Sequence, residues 1–181
     1  MIYTTKELLE AGETEYSIKK KINNGSLHLI ERGYYSTNKG RSFSDEVFAC
    51  KKYPHSVLTG LSAFFIYGLT DYIPEDVFLA TEQHSFPIRR KGIKQSYQAS
   101  SFFSVGVYSK QLDEGAVTVY DLERLLIELI RLKEKYPREI YYEVVNSFRK
   151  IKETIDFYKV NQYLKSFTNG DTLLQKIKEV I

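Results

Sequence analysis

The sequence predicts an α+β fold: a minimal winged helix-turn-helix at the N-terminal end, then a mixed α+β domain with a helical C-terminal part. Three observations predict it. Residues 4–37 read as two short helices followed by a hairpin. Strand-like runs occupy the middle of the chain, from Val77 to Tyr120, and amphipathic helical patterns fill the end from Leu122 onward. Strands gathered ahead of helices, rather than alternating with them, indicate α+β instead of repeated βαβ units. The polar stretch Asn38-Lys39-Gly40-Arg41-Ser42 reads as a linker, dividing a module at 1–42 from a larger domain at 43–181.

The first helix opens at Thr4. Thr4 and Glu7 have capping-box spacing, Tyr3 and Leu8 have staple spacing, and Gly12 supplies the stop. The second helix runs from about Glu15 to Asn24 and ends at Gly25. Ile18 and Ile22 give it one apolar stripe, which turns Tyr16, Lys20, Asn23 and Asn24 outward with Lys19 and Lys21 flanking them. Leu27 to Thr37, with Gly33 at the turn, reads as a β-hairpin.

Beyond the linker, Ser44 to Lys52 reads as a helix stopped by Pro54, and Val57 to Tyr67 as a buried helix. Val77 to Thr81 reads as a strand, as do residues 95–104, 105–112 and 117–120. Helices are expected at Leu122 to Lys135, Ile140 to about Thr154, Phe157 to Phe167 and after Gly170. Asp121 reads as the N-cap of the first of these.

Composition bounds the function. The 181 residues are 43% hydrophobic and 27% charged, enough to build a core and too apolar for disorder. Fifteen tyrosines and eleven phenylalanines suit sheets and binding surfaces alike, and an AT-rich genome explains them equally well. The single Cys50 excludes an internal disulfide and a cysteine-based zinc site, and fits a reducing, cytoplasmic setting. Neither a signal peptide nor a membrane span is expected. His28, His55 and His84 lack metal-ligand spacing. No nucleophile elbow, P-loop or dinucleotide-binding glycine motif occurs. Glu123, Glu128, Glu139 and Glu143 are expected on solvated helix faces. The chain therefore reads as a regulator, with no enzymatic activity, cofactor or metal expected.

Two basic segments carry chemistry. The first is residues 1–41, where Lys6, Lys19, Lys20, Lys21, Arg32, Lys39 and Arg41 outnumber Glu7, Glu10, Glu13, Glu15 and Glu31. Tyr16, Ser17, Lys19, Lys20, Lys21, Asn23 and Asn24 on the second helix are candidate DNA contacts, with Arg32 at the hairpin tip and Lys39 and Arg41 after it. Lysines neutralise phosphates and an asparagine pairs with an adenine edge; a merely solvated lysine face remains the alternative. The second segment runs from Gln83 to Gln111 and holds Arg89, Arg90, Lys91, Lys94 and Lys110 without a single Asp or Glu. It reads either as a second basic patch, at 89–94, for nucleic acid or an acidic protein, or as a solvated loop around Pro87 and Gly92.

Three segments resemble one family. Gly25-Ser26-Leu27-His28-Leu29-Ile30-Glu31-Arg32-Gly33-Tyr34-Tyr35 resembles the wing pattern of AbiEi-type antitoxins. Val57-Leu58-Thr59-Gly60-Leu61-Ser62-Ala63-Phe64-Phe65-Ile66-Tyr67-Gly68-Leu69-Thr70-Asp71 resembles their L-S-A-x-x-x-H-G-L-T-[DN] segment, with Tyr67 in place of the histidine. Asp121-Leu122-Glu123-Arg124-Leu125-Leu126-Ile127-Glu128-Leu129 resembles their D-x-E-R helix. The resemblance implies a transcriptional autorepressor and antitoxin of a type IV toxin–antitoxin system, active in abortive phage infection. It implies binding of double-stranded DNA at inverted repeats in the protein's own promoter, and action against a nucleotidyltransferase-like toxin without a stable complex. The alternative is a protein- or RNA-interaction module that uses the 89–94 patch and binds no DNA.

Overall fold

The computed structural model describes residues 1–38 and 44–181, and the predicted contacts Lys39 and Arg41 lie outside the described residues. The architecture is α+β, with the chain divided into two compact units. The first gathers residues 1–52 and 111–117, the second 53–110 and 118–181.

In the first unit, β1 (Ile2–Thr4) leads into α1 (Thr5–Glu10) and α2 (Glu15–Asn23). The hairpin β2 (His28–Glu31) and β3 (Tyr34–Ser36) follows, then α3 (Asp45–Lys52). The three strands form an antiparallel sheet in the order β1-β3-β2, with Tyr3 opposite Tyr35 and Leu29 opposite Tyr35 on the other side. The capping box at α1 is present as read: the Thr4 hydroxyl accepts from the Glu7 N–H, and the Glu7 carboxylate accepts from the Thr4 N–H. Leu8, Ile18 and Leu27 form a small buried core with Tyr3, Ile22 and Tyr35 packed around it. The expected boundary was residue 42, but α3 belongs to this unit. Its Lys51 pairs with Glu7 at 2.9 Å and its Lys52 with Glu31, tying α3 to both α1 and the hairpin.

The other elements are β4 (Val57–Leu58), α4 (Gly60–Ile66), β5 (Val77–Glu82), β6 (Ile93–Gln98), α5 (Ser100–Phe103), β7 (Val107–Leu112) and β8 (Gly115–Tyr120). After them come α6 (Leu122–Arg131), α7 (Arg138–Lys150), α8 (Phe157–Leu164) and α9 (Gly170–Val180), with 3₁₀ turns at Lys133–Lys135 and Lys152–Thr154. The strands form a mixed sheet in the order β6-β5-β4-β8-β7, in which β5 and β6 are parallel, as are β4 and β8. α6 packs against α4, α8 and α9, and Leu125, Leu126, Ile127 and Leu129 along it are fully buried.

Several expectations need correction. Val57 to Tyr67 is not one helix. Val57 and Leu58 pair with Ala80 and Leu79, Thr59 is extended, and α4 begins at Gly60, where φ is +53°. The strand expected at 95–104 ends at Gln98, and α5 follows. Glu123 and Glu128 do not lie on a solvated face. Glu128 is 1% exposed and bonded to Arg124 and Thr59, while Glu123 is buried and accepts from the Asp156 N–H. Glu143 is half-buried and accepts from the Thr70 hydroxyl and the Asp71 N–H, whereas Glu139 is exposed. Asp121 caps α6 as expected, accepting from the Arg124 N–H at 2.9 Å.

Candidate nucleic-acid interface

The α2 helix is fixed by its own start. The Thr14 hydroxyl accepts from the Ser17 N–H, and the Ser17 hydroxyl accepts from the Thr14 N–H. These bonds satisfy two backbone donors that the first helical turn leaves free. Ile18 then turns inward at 4% exposure and Ile22 is half-buried, so the opposite face of the helix points away from the small core.

That face carries most of the predicted contacts. Tyr16 is 77% exposed, and Lys19, Lys20, Asn23 and Asn24 are exposed. Arg32 is exposed at the hairpin turn, beside Gly33 at φ +86°. Three predicted residues are already engaged within the module. The Ser17 hydroxyl donates to the Glu13 carboxylate and is used by the cap. Lys21 pairs with Glu13, and this ammonium, with the Ser17 hydroxyl, holds the Glu13 carboxyl below the usual carboxylate range. The Asn24 side-chain oxygen accepts from the Ser26 N–H at 3.0 Å, leaving its amide nitrogen to make outside contacts.

The acids of the module are largely neutralised. Lys51 and Lys52 were not among the predicted site residues, yet they meet Glu7 and Glu31. Glu10 pairs with Lys6 at 3.7 Å, and Glu13 with Lys21. Burial pushes the Glu7 carboxyl up, but the Thr4 N–H and Lys51 outweigh it and hold it below its ordinary value. Among the described residues Lys19, Lys20 and Arg32 form no ion pair, so the positive charge that projects from this unit lies on α2 and the hairpin turn. Sequence spacing had no means of finding the role of Lys51 and Lys52, because their partners lie over 20 residues away.

The second basic segment is split by the structure. Arg89, Arg90 and Lys91 are exposed in the loop between β5 and β6. Lys94 stands on β6, pairs with Asp76 at 3.0 Å and lies 5.4 Å from the Phe78 ring centre. The Asp76 hydrogen bond raises its pKa, so it is a committed partner rather than a free cation. Lys110 sits 4.8 Å over the Tyr67 ring.

Among the described residues no group of three or more His, Cys, Asp or Glu is placed to hold a metal ion. No described helix is long and apolar enough to cross a membrane.

No protein-family model matches the chain, and no curated protein matches it. Among solved structures, the chain is similar to the crystal structure of the RV2827C protein from Mycobacterium tuberculosis. The TM-score is 0.60 and the sequence identity 13%, and the likeness covers 98% of this chain and 72% of that one. At that identity it establishes a shared fold, extending over nearly the whole of this chain.

Proposed function

We propose that the first unit is a winged helix-turn-helix and that the chain is a DNA-binding transcriptional autorepressor. The observation that carries this reading is the row Tyr16, Lys19, Lys20 and Asn23, exposed on α2, together with an exposed Arg32 at the hairpin turn of the same unit, with four acids of that unit neutralised. A helix of this kind fits a major groove, where Lys19 and Lys20 meet phosphates and Asn23 meets a base edge. Arg32 would reach the adjacent backbone or minor groove as the tip of the wing. The order strand–helix–helix–hairpin supports the assignment, and a promoter-bound protein works in the cytoplasm.

The antitoxin part of the reading rests on the sequence segments ending at Tyr35, Asp71 and Leu129 that resemble AbiEi-type antitoxins. Under it, the chain counteracts a nucleotidyltransferase-like toxin in a type IV system that aborts phage infection. The test has two arms: a mobility shift on DNA upstream of the gene over a range of salt, and growth rescue when the chain is expressed with the product of a neighbouring nucleotidyltransferase gene. Retardation that weakens steeply with salt, together with rescue, supports the whole reading. Retardation alone supports only the repressor.

The competing reading is an interaction module using the β5–β6 loop. It is favoured by Phe86, 92% exposed in the same loop as Arg89 and Lys91. A stable protein complex in the absence of any DNA shift would support it.

A further inference from the structure

The second unit contains a cleft of about 470 Å³, inside the range of roughly 300–1,000 Å³ that small-molecule pockets occupy. Lys94 and Gln98 of β6, an even number of residues apart, share the face of the parallel β5–β6 pair that lines it, and Phe78 stands opposite Lys94 in register. Tyr72 and Tyr136 add two further aromatic walls.

Gln98 is the residue that needs explaining. It is only 5% exposed, yet its amide atoms are not sealed from water. Its neighbour Gln95 is hydrogen-bonded, with its side-chain nitrogen donating to the Thr81 hydroxyl and its oxygen accepting from the Ile88 N–H, each at 2.7 Å. The Gln98 side chain makes no hydrogen bond to any described residue, and it lines the cleft. An amide that opens on the cleft in this way offers two donors and an acceptor to whatever enters. The charged groups of the lining balance, with Glu75 and Asp76 against Lys94 and Lys135, and Lys94 is already held by Asp76. A polyanion gains nothing from such a wall. A neutral, planar, polar molecule does: aromatic rings cover its faces, and the amide pairs with a donor and acceptor on its edge.

We propose that this cleft binds a neutral nucleoside, with the Gln98 amide hydrogen-bonded to the edge of the base and Tyr72 and Phe78 covering its face. The proposal does not depend on the DNA reading, since every residue it uses lies in the second unit.

The experiment is calorimetric titration of the whole protein with adenosine, guanosine, cytidine and uridine in turn, repeated on Gln98→Leu and Tyr72→Ala. The expected result is saturable binding of at least one nucleoside with a Kd below about 1 mM, weakened about tenfold by Gln98→Leu through loss of the edge contacts. Tyr72 is 41% exposed, so Tyr72→Ala keeps the fold and weakens the same nucleoside by about fivefold or more. Without ligand, Gln98→Leu keeps the Tm, because the amide it removes makes no hydrogen bond to any described residue. Failure of all four nucleosides to bind overturns the proposal. So does equal binding by both variants, or a Tm lowered by Gln98→Leu, which would mean that the amide serves the fold.

Discussion

The Arg124 guanidinium and the Glu128 carboxylate, one turn apart on α6, form an ion pair shut away from water, with side chains 0% and 1% exposed and 3.0 Å between them. Each charge has further partners. The Thr59 hydroxyl donates to the other Glu128 oxygen, Arg124 donates to the Phe102 carbonyl at 3.2 Å, and the guanidinium stacks 4.8 Å from both the Phe102 and Tyr120 rings. Arg124→Met leaves a buried carboxylate with a single donor, and unfolding in urea should register a loss of roughly 3–5 kcal/mol. Arg124→Met with Glu128→Leu removes both charges and should recover most of that loss. A single variant as stable as the parent would mean that the pair is dispensable to α6.

That pair marks a limit on what sequence alone discloses. Asp121 was legible as a cap and Thr4–Glu7 as a capping box, because a cap and its partner lie within one turn. The apolar stripe of α6 was legible too, since periodicity reports which residues face a core. It does not report what covers the remaining side. Glu128 is bonded to Thr59, 69 residues away, and Glu123 to the Asp156 N–H, 33 residues away, so neither burial left a local trace. β1 and β4 escaped notice for the same reason. They are three and two residues long, and what makes them strands is pairing with Tyr34–Ser36 and with Leu79, Ala80 and Val119. At the candidate interface the exposed face of α2 followed from Ile18 and Ile22, but the pairing of Lys21 with a residue ahead of its helix did not.

Gly106 tests how tightly this region is built. Its φ is +75°, and a Cβ there would meet the Arg124 Cβ at 2.7 Å and the Asp121 Oδ1 at 2.8 Å. Gly68 has nearly the same backbone angle, φ +67°, with nothing within 4 Å of the added atom. Gly68→Ala should therefore cost only the left-handed strain, roughly 1–2 kcal/mol. Gly106→Ala adds an overpacking cost of roughly 1–3 kcal/mol. Thermal or urea unfolding of the two variants side by side measures the difference; equal costs would show that the backbone near Gly106 yields.

Alkaline pH should unfold the second unit within a definite window. Burial, and then the nearby Asp121 charge, push the Tyr67 hydroxyl up to about 12. Burial and its hydrogen bond to Asp121 do the same for Tyr163. Burial also raises Tyr120 and Tyr136. A phenol with a raised folded pKa holds its proton in the native state after the unfolded chain has released it. Its contribution is therefore intact below pH 10 and is lost as pH climbs from 10 towards 12. Stability followed by denaturant titration should fall across that interval, with tyrosinate absorbance rising as the fold is lost. Tyr67→Phe has no proton to release there, and should flatten the fall.

The lysines of α2 differ in what binding demands of them. Lys19 and Lys20 project without an ion-pair partner among the described residues, so phosphate contact costs them only their hydration. Lys21 must first leave Glu13. Lys19→Glu with Lys20→Glu should therefore abolish retardation of upstream DNA while leaving the melting transition in place, since both side chains are exposed and make no ion pair with described residues. Lys21→Ala should weaken binding far less. Arg32→Ala should lower the slope of log K against log salt by about 0.9, the amount expected for one phosphate contact. If Lys21→Ala proved as damaging as the double variant, the Glu13 pair would have to open on binding, and α2 would meet DNA by its flank rather than by the Tyr16–Lys20–Asn23 face.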